Sequence, residues 1–239
     1  MPLIVGTAGW AIPRQDAERF PAEGTSLQRY ATAFGGVEIN SSFHGPHRQA
    51  TWARWSDSVP SDFKFAVKIP KTISHQHKLI DCDAVVTDFI GQVAALGEKL
   101  AILLLQLPPK LEFDPDAAAD FLQLLTSSTS AAIVCEPRHP SWFEAGADAL
   151  LERFRVARVA ADPALSGAAA EPGGWRGLSY WRLHGSPHMY RSSYDPDRLA
   201  SYARRIREEQ AAGRAAWCMF DNTAASAATG DALALQELV

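Results

Sequence analysis

Seven charged or imidazole side chains stand at or just beyond the ends of short apolar runs in this sequence: Glu38, Lys68, Glu136, Arg138, Asp162, Arg182 and His184. Lysine and arginine side chains could hold and neutralise an anion, and an arginine offers two parallel donors. Glutamate could serve as a general base, and histidine titrates near neutral pH, so it could serve as the acid. This combination indicates general acid/base chemistry on a small anionic substrate, such as a phosphate ester or phosphodiester.

Four of these side chains are the candidate catalytic residues: Glu38, Lys68, Glu136 and His184. Glu38 or Glu136 would be the general base, and His184 the acid. Lys68 could also lose its proton and attack a carbonyl group to form a Schiff base. A simple ion pair of Lys68 with Glu38 or Glu136 is the competing interpretation.

Eight β-branched or leucine-rich runs predict the strands that would position these residues. The runs begin at residues 3, 36, 63, 100, 131, 156, 178 and 216. Helical spacing marks segments between most of them: 83–100, 114–128, 145–154 and 195–213. This alternation predicts a TIM-like (β/α)8 barrel in a single domain, residues 1–239. An open doubly wound sheet is the alternative, but no GxGxxG motif follows the first strand.

Local signals indicate where helices begin and end. Asp114 and Asp195 each precede a proline and are predicted N-caps, while Gly97 and Gly213 are predicted helix stops. Residues 163–177 are rich in Gly, Ala and Pro and lack an apolar period, so the sixth helix is expected to be short or absent. We therefore expect a barrel that is slightly irregular around strand six.

Alternation within the strands predicts which side chains enter the barrel. In the second strand, Val37 and Ile39 would face the helices, and Glu38 and Asn40 would face inward. The same count places further polar residues inward: Lys68, Glu136, Arg138, Asp162, Arg182, His184 and Asp221. Because their charges nearly balance, they could form a functional pocket or an ion-pair network that merely closes the top of the core.

Composition excludes several classes of protein. The net charge is −4 and the basic residues are scattered, which does not indicate binding to duplex DNA or to an acidic membrane. No leader segment or run of about 20 apolar residues is present, so a cytoplasmic protein is expected. Three cysteines without CxxC spacing predict buried free thiols.

A metal-assisted reaction is an alternative that the sequence does not require. Five side chains could bind Mg²⁺ or Mn²⁺: Glu38, Glu136, Asp162, His184 and Asp221. The interleaved cations Lys68, Arg138 and Arg182 would repel a divalent ion. The sequence therefore assigns no cofactor and no metal ligand.

The second alternative is a binding module for nucleotides or single-stranded nucleic acid, without turnover. Bases would stack on loop aromatics while arginines follow the phosphates. The candidate aromatics are Trp10, Phe43, Trp142, Phe143, Trp175 and Tyr190, and the arginines are Arg14, Arg48, Arg176 and Arg191. Trp10 and Trp142 could equally be plugs that shield the barrel end.

Seven segments in order resemble the strand motifs of the YecE-like family: GTAGW, VEINSSF, FKFAVKIPKTISH, LLLQLPP, CEPRHPSW, YWRLHG and FDNTAASAA. The resemblance covers essentially the whole chain. It implies a TIM-like barrel, but it brings no established reaction.

The resemblance also implies a pocket signature. It falls on Glu38, Asn40, Phe43, Lys68, Gln106, Glu136, Arg138, His139, Asp162, Arg182, His184, Gly185, Asn222 and Thr223. Two positions depart from the family pattern, because His44 replaces a tyrosine and Asp221 replaces an asparagine. The candidate substrate-binding residues are Asn40, Phe43, Gln106, Arg138, Asp162, Arg182 and Asn222.

Overall fold

The structure is a computed structural model that describes residues 3–239. Its strands are β1 (Leu3–Thr7), β2 (Gly36–Ile39), β3 (Lys64–Lys68), β4 (Leu100–Gln106), β5 (Ala132–Glu136), β6 (Val156–Arg158), β7 (Ala160–Asp162), β8 (Gly173–Gly174), β9 (Leu178–Leu183) and β10 (Ala215–Phe220). All eight predicted runs contain strands, and the sixth run holds both β6 and β7.

The α-helices lie between the strands: α1 (Ser26–Tyr30), α2 (Gln49–Asp57), α3 (Asp83–Val93), α4 (Pro115–Ser128), α5 (Ala145–Arg153), α6 (Pro196–Ala211) and α7 (Ala228–Gln236). The predicted N-caps are confirmed, because Asp114 accepts from the amides of Asp116 and Ala117, and Asp195 from that of Arg198. Residues 163–177 contain a 3₁₀ helix, Ala168–Ala170, and β8. No helix within the described range 3–239 has the length and apolar character of a membrane span.

The strands form two sheets, ordered β1-β10-β9-β7 and β2-β3-β4-β5-β6-β8. Neighbouring strands are parallel except for β8, which runs antiparallel to β6. Ala8 and Glu38 form an isolated parallel bridge just beyond β1 and in β2. The chain therefore has an α/β fold in which the carboxyl ends of parallel strands lie on one side of each sheet.

Two apolar layers confirm the alternation predicted for these strands. Phe65 and Val67 belong to the larger cluster, which includes the buried faces of the helices, whereas Ala66 between them belongs to a smaller inner cluster. Inner residues from β1, β4, β5, β9 and β10 accompany it: Ile4, Ile102, Leu104, Val134, Tyr180 and Met219. Cys82, Cys135 and Cys218 are buried and free, as predicted.

Gly36 marks a close approach of β2 to its neighbours, which gives a test of the packing. A Cβ at this position would lie 2.8 Å from both the Lys64 carbonyl oxygen and Ile4 Cγ2. We expect Gly36→Ala to lower the free energy of unfolding by about 1–3 kcal/mol through overpacking. Urea denaturation measures this change. Gly35→Ala is the matched control, because a Cβ there meets nothing within 4 Å; equal losses in both variants would contradict the explanation.

Candidate functional site

The centre of the candidate site is Arg182, a buried side chain that is 1% exposed and contacts three carboxylates. Its Nη2 and Nε donate to the two oxygens of Glu38 at 2.7 and 3.1 Å. Its Nη1 donates to Glu136, and its Nη2 also lies 3.0 Å from Asp221 Oδ2. Tyr180 Oη donates to Glu38 as well. Such charges remain buried only because each is paired.

Register explains why these side chains meet. Glu38 is paired across the sheet with inner-layer Ala66, and Arg182 is paired with inner-layer Met219. Both side chains therefore occupy the inner face of their strands, at or near the carboxyl ends. Gln106 and Glu136 are also cross-strand partners at the ends of β4 and β5.

His184 lies between two carboxylates and is fully buried. Its Nε2 is 3.0 Å from Glu136 Oε1, and its Nδ1 is 3.0 Å from Asp221 Oδ2. Burial lowers the pKa of His184, but Glu136 and Asp221 outweigh burial and hold this pKa above its usual value. The same Nε2 also lies 3.1 Å from Arg138 Nη2, so a cationic donor and a carboxylate share this ring nitrogen.

Glu136 is the most heavily paired carboxylate of the cluster. Besides Arg182 and His184, it accepts from Arg138 Nη2 at 2.5 Å. Burial raises the pKa of Glu136, but Arg182, Arg138 and His184 together hold it well below the usual value. A carboxylate so strongly held in its ionised form is a weak base, which bears on the role that it can play.

Lys68 differs from the other cations of the site because its charge has no close partner. Its Nζ lies 4.1 Å from the centroid of the Phe43 ring, and it forms no ion pair or hydrogen bond within residues 3–239. Burial and Arg182 lower the pKa of Lys68 to about 8, although Glu136 and Glu38 act in the opposite direction. The competing interpretation, an ion pair of Lys68 with one of these glutamates, is therefore wrong.

Three other predicted residues carry buried polar atoms without partners in the described chain: Asn40 Oδ1, Arg138 Nε and Asn222 Oδ1. Arg138 is 18% exposed at its side chain, so it reaches the edge of the network. Asn222 instead donates to Ser192 and Asp231. Gln106 is partly exposed and donates to the Leu107 carbonyl at 2.7 Å. A buried polar atom without a hydrogen bond lowers the stability of the fold. The three unpaired atoms, Asn40 Oδ1, Arg138 Nε and Asn222 Oδ1, are therefore candidates for ligand contacts.

The structure contradicts the predicted inward position of Asp162. Its carboxylate accepts from Arg198 Nη2 on α6 at 2.7 Å and lies outside the Arg182 network. The reason is the phase of the strand. Ala157 and Val159 belong to the inner layer, so strict alternation places Asp162 with Ala160 in the outer layer.

Asp221, by contrast, joins the network, as its predicted inward phase indicated, although it was not among the candidate catalytic or substrate-binding residues. The signal is the inward phase of β10, which contains Met219 and continues to Asp221. Tyr180 has the same kind of signal, because it lies in phase with Arg182 on β9.

Most of the aromatic residues considered for base stacking are packed against other side chains. Trp142 is 1% exposed and donates from Nε1 to the Leu111 carbonyl. Trp10 packs edge-on against Trp55, with the two ring centroids 5.1 Å apart. Tyr190 is exposed, and its ring lies 5.5 Å from that of His184. The other three candidates are partly buried: Phe43, Phe143 and Trp175.

Two concave regions are lined by Phe43 or Asn40 and not by the charged side chains of the cluster. A cavity of about 160 Å³ includes Phe43, His47, Trp52 and Phe89 in its wall, and Phe43 connects it to Lys68. A second, more open depression of about 420 Å³ is lined in part by Asn40. Within residues 3–239, no three His, Cys, Asp or Glu side chains converge in a way that could hold a metal ion.

Almost the whole chain matches the model of one protein family. The family model described as "Protein of unknown function DUF72" matches residues 4–239. This chain belongs to the DUF72 family. The family match agrees with the motif resemblance and covers every residue of the Arg182 network.

Curated relatives of this DUF72 protein share part of its length. The UPF0759 protein YecE of Escherichia coli K12 is 35% identical over 147 residues, which are 60% of this chain and 51% of YecE. The UPF0759 protein YunF of Bacillus subtilis is 25% identical over 147 residues, 59% of this chain and 52% of YunF. The chain thus spans about half the length of the curated relatives that it matches.

Solved DUF72 structures share the fold of this chain. A family member from Enterococcus faecalis superposes with a TM-score of 0.81 at 17% identity, over 99% of this chain and 95% of that one. A member from Thermotoga maritima superposes with a TM-score of 0.80 at 21% identity, over 99% of this chain and 98% of that one. At these identities the likeness concerns the fold alone.

Proposed function

We propose that this DUF72 protein is an enzyme that binds a small anionic substrate, a phosphate ester or phosphodiester, at the carboxyl ends of its strands. The observation that carries the proposal is a pair of cationic donors that the carboxylates of the cluster leave free. Glu38, Glu136 and Asp221 are paired with Arg182, and Glu136 is also paired with Arg138. Arg138 Nε and Lys68 Nζ keep no partner within residues 3–239, and an anion would supply one.

The two partly exposed cations are the proposed anion contacts. Arg138 has a free Nε and Lys68 a free Nζ, whereas Arg182 is saturated by carboxylates. Charge-assisted hydrogen bonds from such donors are the strong contacts to phosphate. Asn40 and Gln106 lie at the ends of the neighbouring strands and would complete the recognition.

We assign the acid/base role to Lys68 and not to Glu38 or Glu136. Glu38 and Glu136 are buried and paired with Arg182, so they position the arginine and set the local charge. A group whose pKa lies near the working pH transfers protons most effectively, and the Lys68 pKa of about 8 meets that condition.

We also infer that the two sheets close into one (β/α)8 barrel that is slightly irregular at the sixth strand. The Ala8–Glu38 bridge supports a junction between β1 and β2. At the other side, Val159 alone separates β6, which pairs with β5, from β7, which pairs with β9. Closure would gather the carboxyl ends into one ring, as in other barrels with catalytic sites there.

Titration with inorganic phosphate tests the anion site. We expect the wild-type protein to bind phosphate at pH 7, and Lys68→Met and Arg138→Met each to weaken binding by about tenfold or more, the loss of one charged hydrogen bond. Lys64→Met is the matched control, because Lys64 lies on the same strand but donates to the Glu98 carbonyl. Calorimetry measures the dissociation constants.

Turnover is tested with a panel of phosphate esters and phosphodiesters. Hydrolysis or isomerisation by wild type that Lys68→Met abolishes and Lys64→Met retains would support the enzyme proposal. Equal phosphate affinity in wild type, Lys68→Met and Arg138→Met would overturn the anion site.

A further inference from the structure

We infer that Lys68 is a covalent amine site that forms an imine with a small aldehyde or ketone bearing a carboxylate or phosphate group. This inference rests on the proposed anion pocket and specifies its substrate class as anionic carbonyl compounds.

The Lys68 amine is free of competing contacts. The residue ends β3 and is partly exposed. Lys64 Nζ, on the same strand, donates to the Glu98 carbonyl, and Lys99 Nζ donates to the carbonyls of Ser56 and Val59. Lys68 Nζ makes no such bond within residues 3–239, and its neighbour is the face of the Phe43 ring. An attacking amine needs this freedom, because its lone pair must reach the carbonyl carbon.

The carboxylates that could hold Lys68 as an ammonium ion are occupied by other cations. Glu38 is bound by Arg182, Glu136 by Arg182 and Arg138, and both also receive a second type of donor from Tyr180 or His184. Arg182 therefore competes for the charge that would otherwise fix the lysine.

A substantial neutral fraction of the amine follows from this environment. The negative face of the Phe43 ring favours the ammonium ion, but burial and Arg182 act against it and lower the pKa of Lys68 to about 8. At pH 7 roughly one amine in ten is then neutral, compared with on the order of one in a few thousand for an unperturbed lysine.

The chemical step balances without any oxidant or reductant. The Nζ lone pair attacks the carbonyl carbon, the C=O π electrons move to oxygen, and a proton passes from nitrogen to that oxygen to give a carbinolamine. Loss of the hydroxyl group with one proton releases water and leaves the imine, which takes up a proton to become the iminium. Arg138 would hold the anionic group of the substrate beside the reacting carbon.

Reductive trapping tests the inference with glyoxylate as the probe. The 239-residue protein is incubated at pH 7 with glyoxylate and cyanoborohydride, and carboxymethylated lysines are mapped by mass spectrometry. We expect Lys68 to be labelled at least tenfold faster than Lys71, Lys78 or Lys110, and inorganic phosphate to slow its labelling. Labelling of Lys68 no faster than that of the exposed Lys78 would overturn the inference.

Two controls separate this inference from the proposed function. Lys64→Met removes a lysine of the same strand whose amine donates to the Glu98 carbonyl, so this variant should still bind phosphate and should still be labelled at Lys68. Phosphate binding that depends on Lys68, together with unselective trapping, would reject the imine and leave the proposed function standing. Selective trapping that is as fast with neutral propanal as with glyoxylate would reject the anionic substrate class.

Discussion

Replacing Arg182 with methionine is expected to lower the free energy of unfolding by about 3–5 kcal/mol, as when one member of a buried ionic network is lost. The substitution removes the cation shared by Glu38, Glu136 and Asp221 and leaves their charges buried without sufficient compensation. Urea denaturation monitored by circular dichroism measures the loss.

Two further variants define the origin of this effect. Arg158→Met is the control, because Arg158 is also buried but pairs with one carboxylate, Asp148, and should cost less. Glu38→Gln combined with Arg182→Met should recover part of the loss, since one of the uncompensated charges is removed. A loss below about 1 kcal/mol in Arg182→Met, the range of exposed ion pairs, would show that the network is not a stabilising unit.

Acid should destabilise the protein more steeply than it destabilises a Glu136→Gln variant. The pKa of Glu136 is held well below its usual value in the folded chain by Arg182, Arg138 and His184, which outweigh burial. A depressed folded pKa contributes stability that is present above the unfolded pKa, about 4.3, and is lost as the pH falls below it. Each unit of depression corresponds to about 1.4 kcal/mol.

The free energy of unfolding is measured from pH 7 down to pH 3 for the wild-type protein and for Glu136→Gln. The slopes of this free energy against pH are then compared. The Asp221 pKa is also lowered, by Arg182 and His184 against burial, so a residual slope should remain in Glu136→Gln. His184 has the opposite sign, because its raised pKa contributes stability that is present at low pH and lost as the pH rises through the folded pKa. Identical acid slopes in the two proteins would contradict the role of Glu136.

Much of the fold could be predicted because its signals are local. The strands follow from apolar runs, and the N-caps Asp114 and Asp195 follow from an acid before a proline. Alternation also predicted which side of β3 each residue faces, since successive side chains of a strand point in opposite directions. The same rule brought Glu38, Glu136, Arg182 and His184 toward one place.

Asp162 shows the limit of that rule. Its acidic type at the end of an apolar run suggested the pocket, but a difference of one residue in phase turns a side chain to the opposite face. The strand places Asp162 on the α6 side, where Arg198 binds it. Asp221, which lies in the inward phase, takes the place beside Arg182.

The sequence by itself determined the α/β alternation, the inward phase of most charged residues and their position at strand ends. Only the tertiary structure decided which charges pair, because pairing depends on distances between strands that are far apart in sequence. Arg182 takes three carboxylates and Lys68 takes none. That division follows from the geometry of the buried guanidinium, which can donate to several acceptors at once, and it leaves the lysine amine free.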